Sequence, residues 1–251
     1  MRKIVLSATV IIALLLASPA LAITYGQPDG NLHPFVGALV GTFDGQTYPY
    51  CSGTLISPTV FLTAAHCNIG TSTVYVTFDS EYTSKSKLLP GTFHADPLYN
   101  QAQGDPHDMA VVVFDKPVTN LVPARLPTLG QFNDLPKDQQ FTSVGYGGQE
   151  PVNQPGGTLI VYLDVREYSV GTLNAVTPVW LRISQNPATG NGGTCYGDSG
   201  GPNFLGAGTE ETNIVAATTI TGDMFCRSTN VTYRTDTVAA RDFLGQFVTL
   251  P

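Results

Sequence analysis

All four histidines of this 251-residue chain, His33, His66, His94 and His107, lie upstream of one serine set among glycines. That serine is Ser199, in the run Thr194-Cys195-Tyr196-Gly197-Asp198-Ser199-Gly200-Gly201-Pro202. Gly197 and Gly200 have no Cβ, so the backbone can turn sharply there and approach a bound group closely. Such a turn exposes the Ser199 hydroxyl. It also lets the N–H groups of Gly197 and Ser199 converge on one spot, where an oxyanion could form. A serine hydroxyl needs a base to act as a nucleophile. In the G-x-S-x-G elbow of an α/β sheet, the acid and then the histidine follow the serine. No histidine follows Ser199, so that architecture is excluded and the base must come from earlier in the chain.

His66 is the best candidate. It ends Phe61-Leu62-Thr63-Ala64-Ala65-His66-Cys67, where an apolar strand runs into two small residues that leave room beside the ring. The cysteine after it can anchor the turn. Asp108 heads Asp108-Met109-Ala110-Val111-Val112-Val113-Phe114. An acid leading such an apolar strand is expected to be partly buried, and a buried carboxylate needs a partner such as an imidazole N–H. His107 is the rival base, but neighbours on a strand point to opposite faces. In an acid-before-histidine order Asp44 could serve His66, but nothing around Asp44 marks a buried acid.

The segments Leu62–Cys67, the strand headed by Asp108, and Gly197-Asp198-Ser199-Gly200-Gly201-Pro202 together resemble the trypsin/chymotrypsin family of serine endopeptidases. Their order and spacing are close to that family's, and the likeness covers nearly all of the chain after residue 22. The resemblance implies an all-β fold of two six-stranded antiparallel Greek-key barrels, with the active site in the cleft between them and a C-terminal helix. It implies a catalytic His66, Asp108 and Ser199, an oxyanion hole at Gly197 and Ser199, and a primary substrate pocket based on Gly193 and Thr194. It also pairs Cys51 with Cys67 and Cys195 with Cys226. From counting alone, three pairings of the four cysteines are open, and their spacing matches no zinc pattern.

Residues 1–22 read as a secretory signal peptide. Arg2 and Lys3 form the basic region, Ile4 to Ala17 the apolar core, and Ala20-Leu21-Ala22 a small-x-small cleavage site. That apolar run is too short for a comfortable membrane span. Cleavage would free Ile23. In the resembling family a freed N-terminal Ile pairs its ammonium with the acid before the serine, so the expected pair is Ile23 and Asp198. The usual Ile-Val-Gly-Gly is replaced by Ile23-Thr24-Tyr25-Gly26, and no basic cleavage site precedes it. Signal cleavage itself would then complete the enzyme. The expected domain runs over 23–251, with barrels over about 23–125 and 136–235.

Composition agrees with an exported β protein. Charged residues make up only 12%, and 26 Gly and 18 Pro supply turns between short strands. The second-half strands are expected over 140–145, 158–165, 179–184, 201–204, 213–219 and 232–235, with one helix over 237–247. The net charge of −7 and the lack of a basic patch argue against nucleic acid as a partner. Protein or peptide substrates, a monomer and no cofactor are expected.

Gly193 stands where an aspartate would select Lys or Arg, so the pocket is expected to take an apolar or aromatic side chain; Asp223 is the acid that could reverse this. The family's Ser-Trp-Gly wall is replaced by Ala217-Thr218-Thr219-Ile220-Thr221-Gly222. Thr218 or Thr219 is the candidate hydroxyl to support Asp108. The one tryptophan, Trp180, is placed away from the site. Asp79 and Glu81 are weak calcium candidates, and Asn230-Val231-Thr232 is a chance glycosylation sequon. A catalytically silent binding homologue and an esterase using the same triad remain as other functions.

Overall fold

A computed structural model describes residues 23–149 and 151–251. The signal peptide expected over 1–22 lies outside them. The first element, β1 (Gln27–Pro28), is a short arm that reaches over to the second half of the chain. Then β2 (Val36–Phe43), β3 (Gln46–Ser57), β4 (Val60–Thr63), β5 (Thr73–Thr77), β6 (Leu89–Ala95) and β7 (Ala110–Phe114) close an antiparallel barrel in the order β2-β3-β4-β7-β6-β5. Leu39, Leu55, Phe61, Val76 and Val112 fill it and are fully buried. Burying side chains of this size contributes roughly 1.5–3 kcal/mol each.

The strand β7 explains the burial of Asp108. Its side chains alternate faces with a period of two. Ala110, Val112 and Phe114 enter the first barrel's core. Met109 and Val111 enter a second cluster, shared with Val144, Phe204, Val215 and Phe243 from the other half. Apolar packing on both sides is why the segment reads as one unbroken apolar run. Asp108, just before it, is carried to the seam between the halves and is fully buried.

The second barrel uses β8 (Gln140–Gly145), β11 (Glu167–Val176), β12 (Trp180–Ser184), β13 (Pro202–Leu205), β14 (Val215–Gly222) and β15 (Thr229–Arg234). Their order is β11-β12-β15-β14-β13-β8, and pairing of β8 with β11 closes the ring. A small hairpin, β9 (Val152–Gln154) and β10 (Gly157–Leu159), projects between β8 and β11. The expected strand over 158–165 is therefore a correction: Thr158 and Leu159 pair in this hairpin, and Val165 forms only an isolated bridge with Glu81. The sixth barrel strand is β11. Its inward positions Glu167, Ser169 and Gly171 are polar or small, so hydropathy does not announce it. A Cβ at Gly171 would come within 2.4 Å of Ile183 Cγ2, which shows how closely β12 packs there.

The helix α1 (Val238–Leu244) is shorter than the expected 237–247. Thr237 Oγ1 caps it by accepting the Ala240 N–H at 3.2 Å. Ala240, Phe243 and Leu244 join the cluster between the barrels. No helix among the described residues is long and apolar enough to cross a membrane.

Candidate active site

The His66 turn is a single 3-10 turn, Ala65–Cys67, that follows β4. Ala64 and Ala65 pack into the first barrel, and the Cys51–Cys67 disulfide ties the turn back to β3. In the chain-entropy view such a bridge contributes about 3 kcal/mol. Both Asp108 oxygens are spent on His66. Oδ1 accepts its backbone N–H at 3.0 Å, and Oδ2 lies 2.8 Å from the ring Nδ1. An ionised carboxylate can only accept, so Nδ1 carries the proton and Nε2 is the basic nitrogen. Nε2 has no hydrogen-bond partner among the described residues, and the side chain is 22% exposed and borders a cleft.

The Ser199 loop is fastened to the same place. The Ser199 carbonyl accepts the Ser52 N–H at 2.8 Å, and Cys67 Sγ lies 3.7 Å from that oxygen. Ser52 adjoins Cys51, so one short stretch of β3 holds both the serine loop and the histidine turn. Gly200 must be glycine here. Its φ is +80°, and a Cβ would stand 2.2 Å from Thr63 Oγ1 and 2.6 Å from the Ser52 carbonyl. The second disulfide, Cys195–Cys226, ties the loop to the β14–β15 hairpin.

Two peptides of the loop are turned by their carbonyls. The Tyr196 carbonyl accepts the Gly148 N–H at 2.8 Å, and the Asp198 carbonyl accepts the Gly201 N–H at 2.8 Å. In a trans peptide the N–H points opposite to the C=O. The Gly197 and Ser199 N–H groups therefore face the other way, and neither finds an acceptor among the described residues. Gly197, at φ +98°, also has its own carbonyl held by Ser52 Oγ at 3.0 Å.

A cleft of about 160 Å³ opens at Ser199, lined by Thr194–Tyr196, Thr219–Asp223 and Cys226. A second cleft at His66 is lined by Asp108, Gln101, Gln103, Pro106, Trp180, Ile220 and Thr221. Ile220 and Thr221 border both, so the two clefts lie side by side.

The family model described as Trypsin matches residues 27–239. The chain belongs to the trypsin family. It is 32% identical over 193 residues to a trypsin of Saccharopolyspora erythraea, covering 70% of this chain and 79% of that one. It is 24% identical over 225 residues to glucanase inhibitor protein 4 of Phytophthora infestans, covering 84% and 83%. The fold is similar to that of HL collagenase, with TM-score 0.67 at 18% identity over 89% of this chain and 97% of that one.

Within this trypsin-family chain, the other three histidines are engaged away from Ser199. His33 lies between Asp29 and Glu211. His94 packs against Phe247. His107, at φ +51°, faces Asp96 with Nδ1 3.2 Å from its carboxylate. Asp44 is in the exposed turn between β2 and β3.

Several expectations need correction. Neither Thr218 nor Thr219 reaches Asp108. Thr219 Oγ1 accepts from Asn203 and Asn230, and Thr218 Oγ1 has no partner. Gly193 does not line the cleft; its backbone is bridged to Thr24, and Gln185 packs where its Cβ would be, with Oε1 2.1 Å away. Thr194 does line it. Trp180 borders the His66 cleft instead of lying elsewhere. Asn230 is fully buried, in keeping with a chance sequon. The one potential metal group among the described residues is Cys51, His66 and Cys67, whose sulfurs are already joined to each other.

Ile23 is buried, and the Thr24 carbonyl accepts the Gly193 N–H at 2.9 Å. Asp198 is fully buried. Its oxygens accept the N–H groups of Gly147 and Cys195, each at 2.8 Å. Burial nonetheless pushes its pKa up to about 7, because two amide donors do not compensate for a lost hydration shell. Among the described residues, no cationic side chain forms an ion pair with Asp198.

Proposed function

We propose that this chain is a secreted serine endopeptidase that cleaves peptide bonds through an acyl-enzyme on Ser199. His66 Nε2 takes the Ser199 proton and later protonates the leaving amine. Asp108 holds the ring in the required tautomer and stabilises its charged form. The N–H groups of Gly197 and Ser199 receive the oxyanion. Residues 1–22 direct export, and their removal frees the Ile23 ammonium to pair with Asp198.

The observation that carries this reading is the fully buried Asp108, which spends both oxygens on His66, in a cleft that shares Ile220 and Thr221 with the cleft at Ser199. The two acceptor-free N–H groups beside Ser199 support it independently. A fluorophosphonate probe with peptide mapping tests it. The expected result is labelling of Ser199 in the chain that begins at Ile23, abolished by His66→Ala. No labelling of folded, processed protein would remove the enzyme reading.

A catalytically silent binding protein is the second reading, favoured by the likeness to a protein named as a glucanase inhibitor. The same probe separates the two. An esterase would label as well, and digestion of a peptide library distinguishes it from a peptidase.

A further inference from the structure

We infer that Tyr233 and Asp105 are positioning residues for the cleft at His66: one hydrogen bond between them latches the loop over 96–107 of the first barrel onto the second. Its effect on turnover rests on the peptidase reading; the latch itself does not.

The loop joins β6 to β7 and leads into the buried Asp108. Its base is closed from within. The Asp96 N–H donates to the Met109 carbonyl and the Asn100 N–H to the Pro106 carbonyl, each at 2.9 Å. His107 ties the two arms together, with Nδ1 3.2 Å from an Asp96 oxygen. Beyond that base, residues 101–104 are exposed. The N–H groups of Ala102 and Gln103 turn back onto Asn100, which shapes the tip without anchoring it to anything outside the loop. Yet Gln101 and Gln103 line the His66 cleft together with Pro106 and Trp180.

The anchor comes from the second barrel. Tyr233, on β15 and only 1% exposed, donates its hydroxyl to Asp105 Oδ1 at 2.7 Å. The same oxygen accepts the His107 N–H at 3.2 Å. Among the described residues, no other hydrogen bond joins 96–107 to the second barrel. Burial first, then the hydrogen bond and charge of Asp105, push the Tyr233 pKa up, so the phenol keeps its proton and stays the donor. Its ring meets Trp180 edge-on, with centroids 5.6 Å apart, and the two residues pair across β12 and β15. One tyrosine thus holds two walls of the cleft, Trp180 through its ring and the loop through its hydroxyl. A hydrogen bond to a carboxylate is short and directional, so it fixes the spacing of those walls. Asp108 does not depend on the latch. Directly behind it, Ala110 of β7 pairs with Thr63 of β4 and Ala95 of β6. Release of the latch should therefore loosen the cleft and leave the Asp108–His66 contact in place.

The experiment has two arms. Trp180 is the only tryptophan in the chain, so its fluorescence reports this wall alone. Acrylamide quenching is expected to rise at least twofold in Tyr233→Phe, which keeps the ring, and in Asp105→Ala. Asp105→Asn retains a carbonyl acceptor for the hydroxyl and should match the unaltered chain. Unchanged quenching in Tyr233→Phe or Asp105→Ala overturns the inference, and no catalysis is needed to see it. The second arm uses the chain that begins at Ile23. It compares an ester of a single acylated amino acid with a peptide-coumarin that carries four residues on the acyl side and so extends past the Ser199 cleft. In Tyr233→Phe and Asp105→Ala the peptide's KM should rise about tenfold with kcat within threefold, because only the latched fraction binds well. Both constants for the ester should stay within threefold. The double variant should be no worse than either single one, since both remove the same bond. Equal losses on ester and peptide, or losses that add in the double variant, overturn the positioning role. If fluorophosphonate labels no form, the peptidase reading fails and the quenching arm alone decides. Should Tyr233→Phe not fold, Asp105→Ala against Asp105→Asn, at a half-buried loop position, still decides.

Discussion

The Gly148 N–H donates to the Tyr196 carbonyl at 2.8 Å, and this one bond decides which way the next N–H, that of Gly197, points. Had the Tyr196–Gly197 peptide turned over, a carbonyl oxygen would occupy the place proposed for an oxyanion. Gly197 tolerates the arrangement because its φ of +98° is open to glycine.

Gly197→Ala is therefore expected to lower kcat by about 10²-fold or more, the effect of losing one oxyanion donor. An alanine resists this φ, and its Cβ would lie 3.0 Å from Gly147 Cα, so the peptide should rotate. Steady-state kinetics check this. KM should change little, because the donor acts mainly on the developing negative charge.

Ser52, from the first barrel, holds the next peptide along. Its Oγ accepts the Tyr146 N–H and donates to the Gly197 carbonyl, both at 3.0 Å. Ser52→Ala leaves two groups of the seam without their partner. The expected loss is about 1–3 kcal/mol of stability, read by chemical denaturation, together with a smaller fall in kcat than Gly197→Ala gives.

What could be read in advance was the part where chemistry dictates residue type. A nucleophile, a base and a buried acid each need one of a few side chains, and Asp108 was exposed by the apolar run of β7 behind it. Less was legible where geometry chooses among equivalent residues. Strand β11 hides because Glu167, Ser169 and Gly171 face inward. Alternation along β14 sends the Thr219 hydroxyl toward Asn203 and Asn230, so a plausible partner for Asp108 points elsewhere. Trp180 borders the His66 cleft from the start of β12, which no local motif signals. Gln185 and Asp223 meet through a hairpin whose path depends on the Cys195–Cys226 bridge.

The seam also carries a buried charge cluster with its own pH signature. Fully buried Arg166 donates Nε to Asp29 at 2.7 Å and Nη1 to the Val36 and Phe78 carbonyls, each at 3.0 Å. His33 sits between Asp29 and Glu211 and stacks on Phe204. Burial would lower the His33 pKa, but hydrogen bonds and charge from Asp29 and Glu211 outweigh it and raise it to about 9. A histidine whose folded pKa is raised contributes fully below its unfolded value near 6.5 and loses that contribution as pH rises through 9. Denaturation midpoints should thus fall between pH 6.5 and 9, by up to about 3 kcal/mol. His33→Gln should be less stable at pH 6 and lack most of that slope. An equal slope in the variant would show that the cluster does not titrate as argued.

The Asp198 carboxyl gives the sharpest test of maturation. With Ile23 still in a peptide bond, burial holds the Asp198 pKa near 7 against an ordinary value of 3.8. An acid whose folded pKa is raised costs stability as pH climbs from about 4 to 7, since the folded protein must ionise it without a partner. On the proposed pairing, a freed Ile23 ammonium would supply that partner and cancel the cost. Two forms should be compared across pH 4–8: the chain beginning with a free Ile23 amine, and the same chain with that amine acetylated. Their thermal midpoints should be similar near pH 4 and separate toward pH 7, with the free amine more stable by up to about 4 kcal/mol. The acetylated form should also label more slowly with fluorophosphonate. Parallel midpoints throughout would mean that Gly147 and Cys195 alone satisfy Asp198, and that releasing Ile23 has no part in assembling the site.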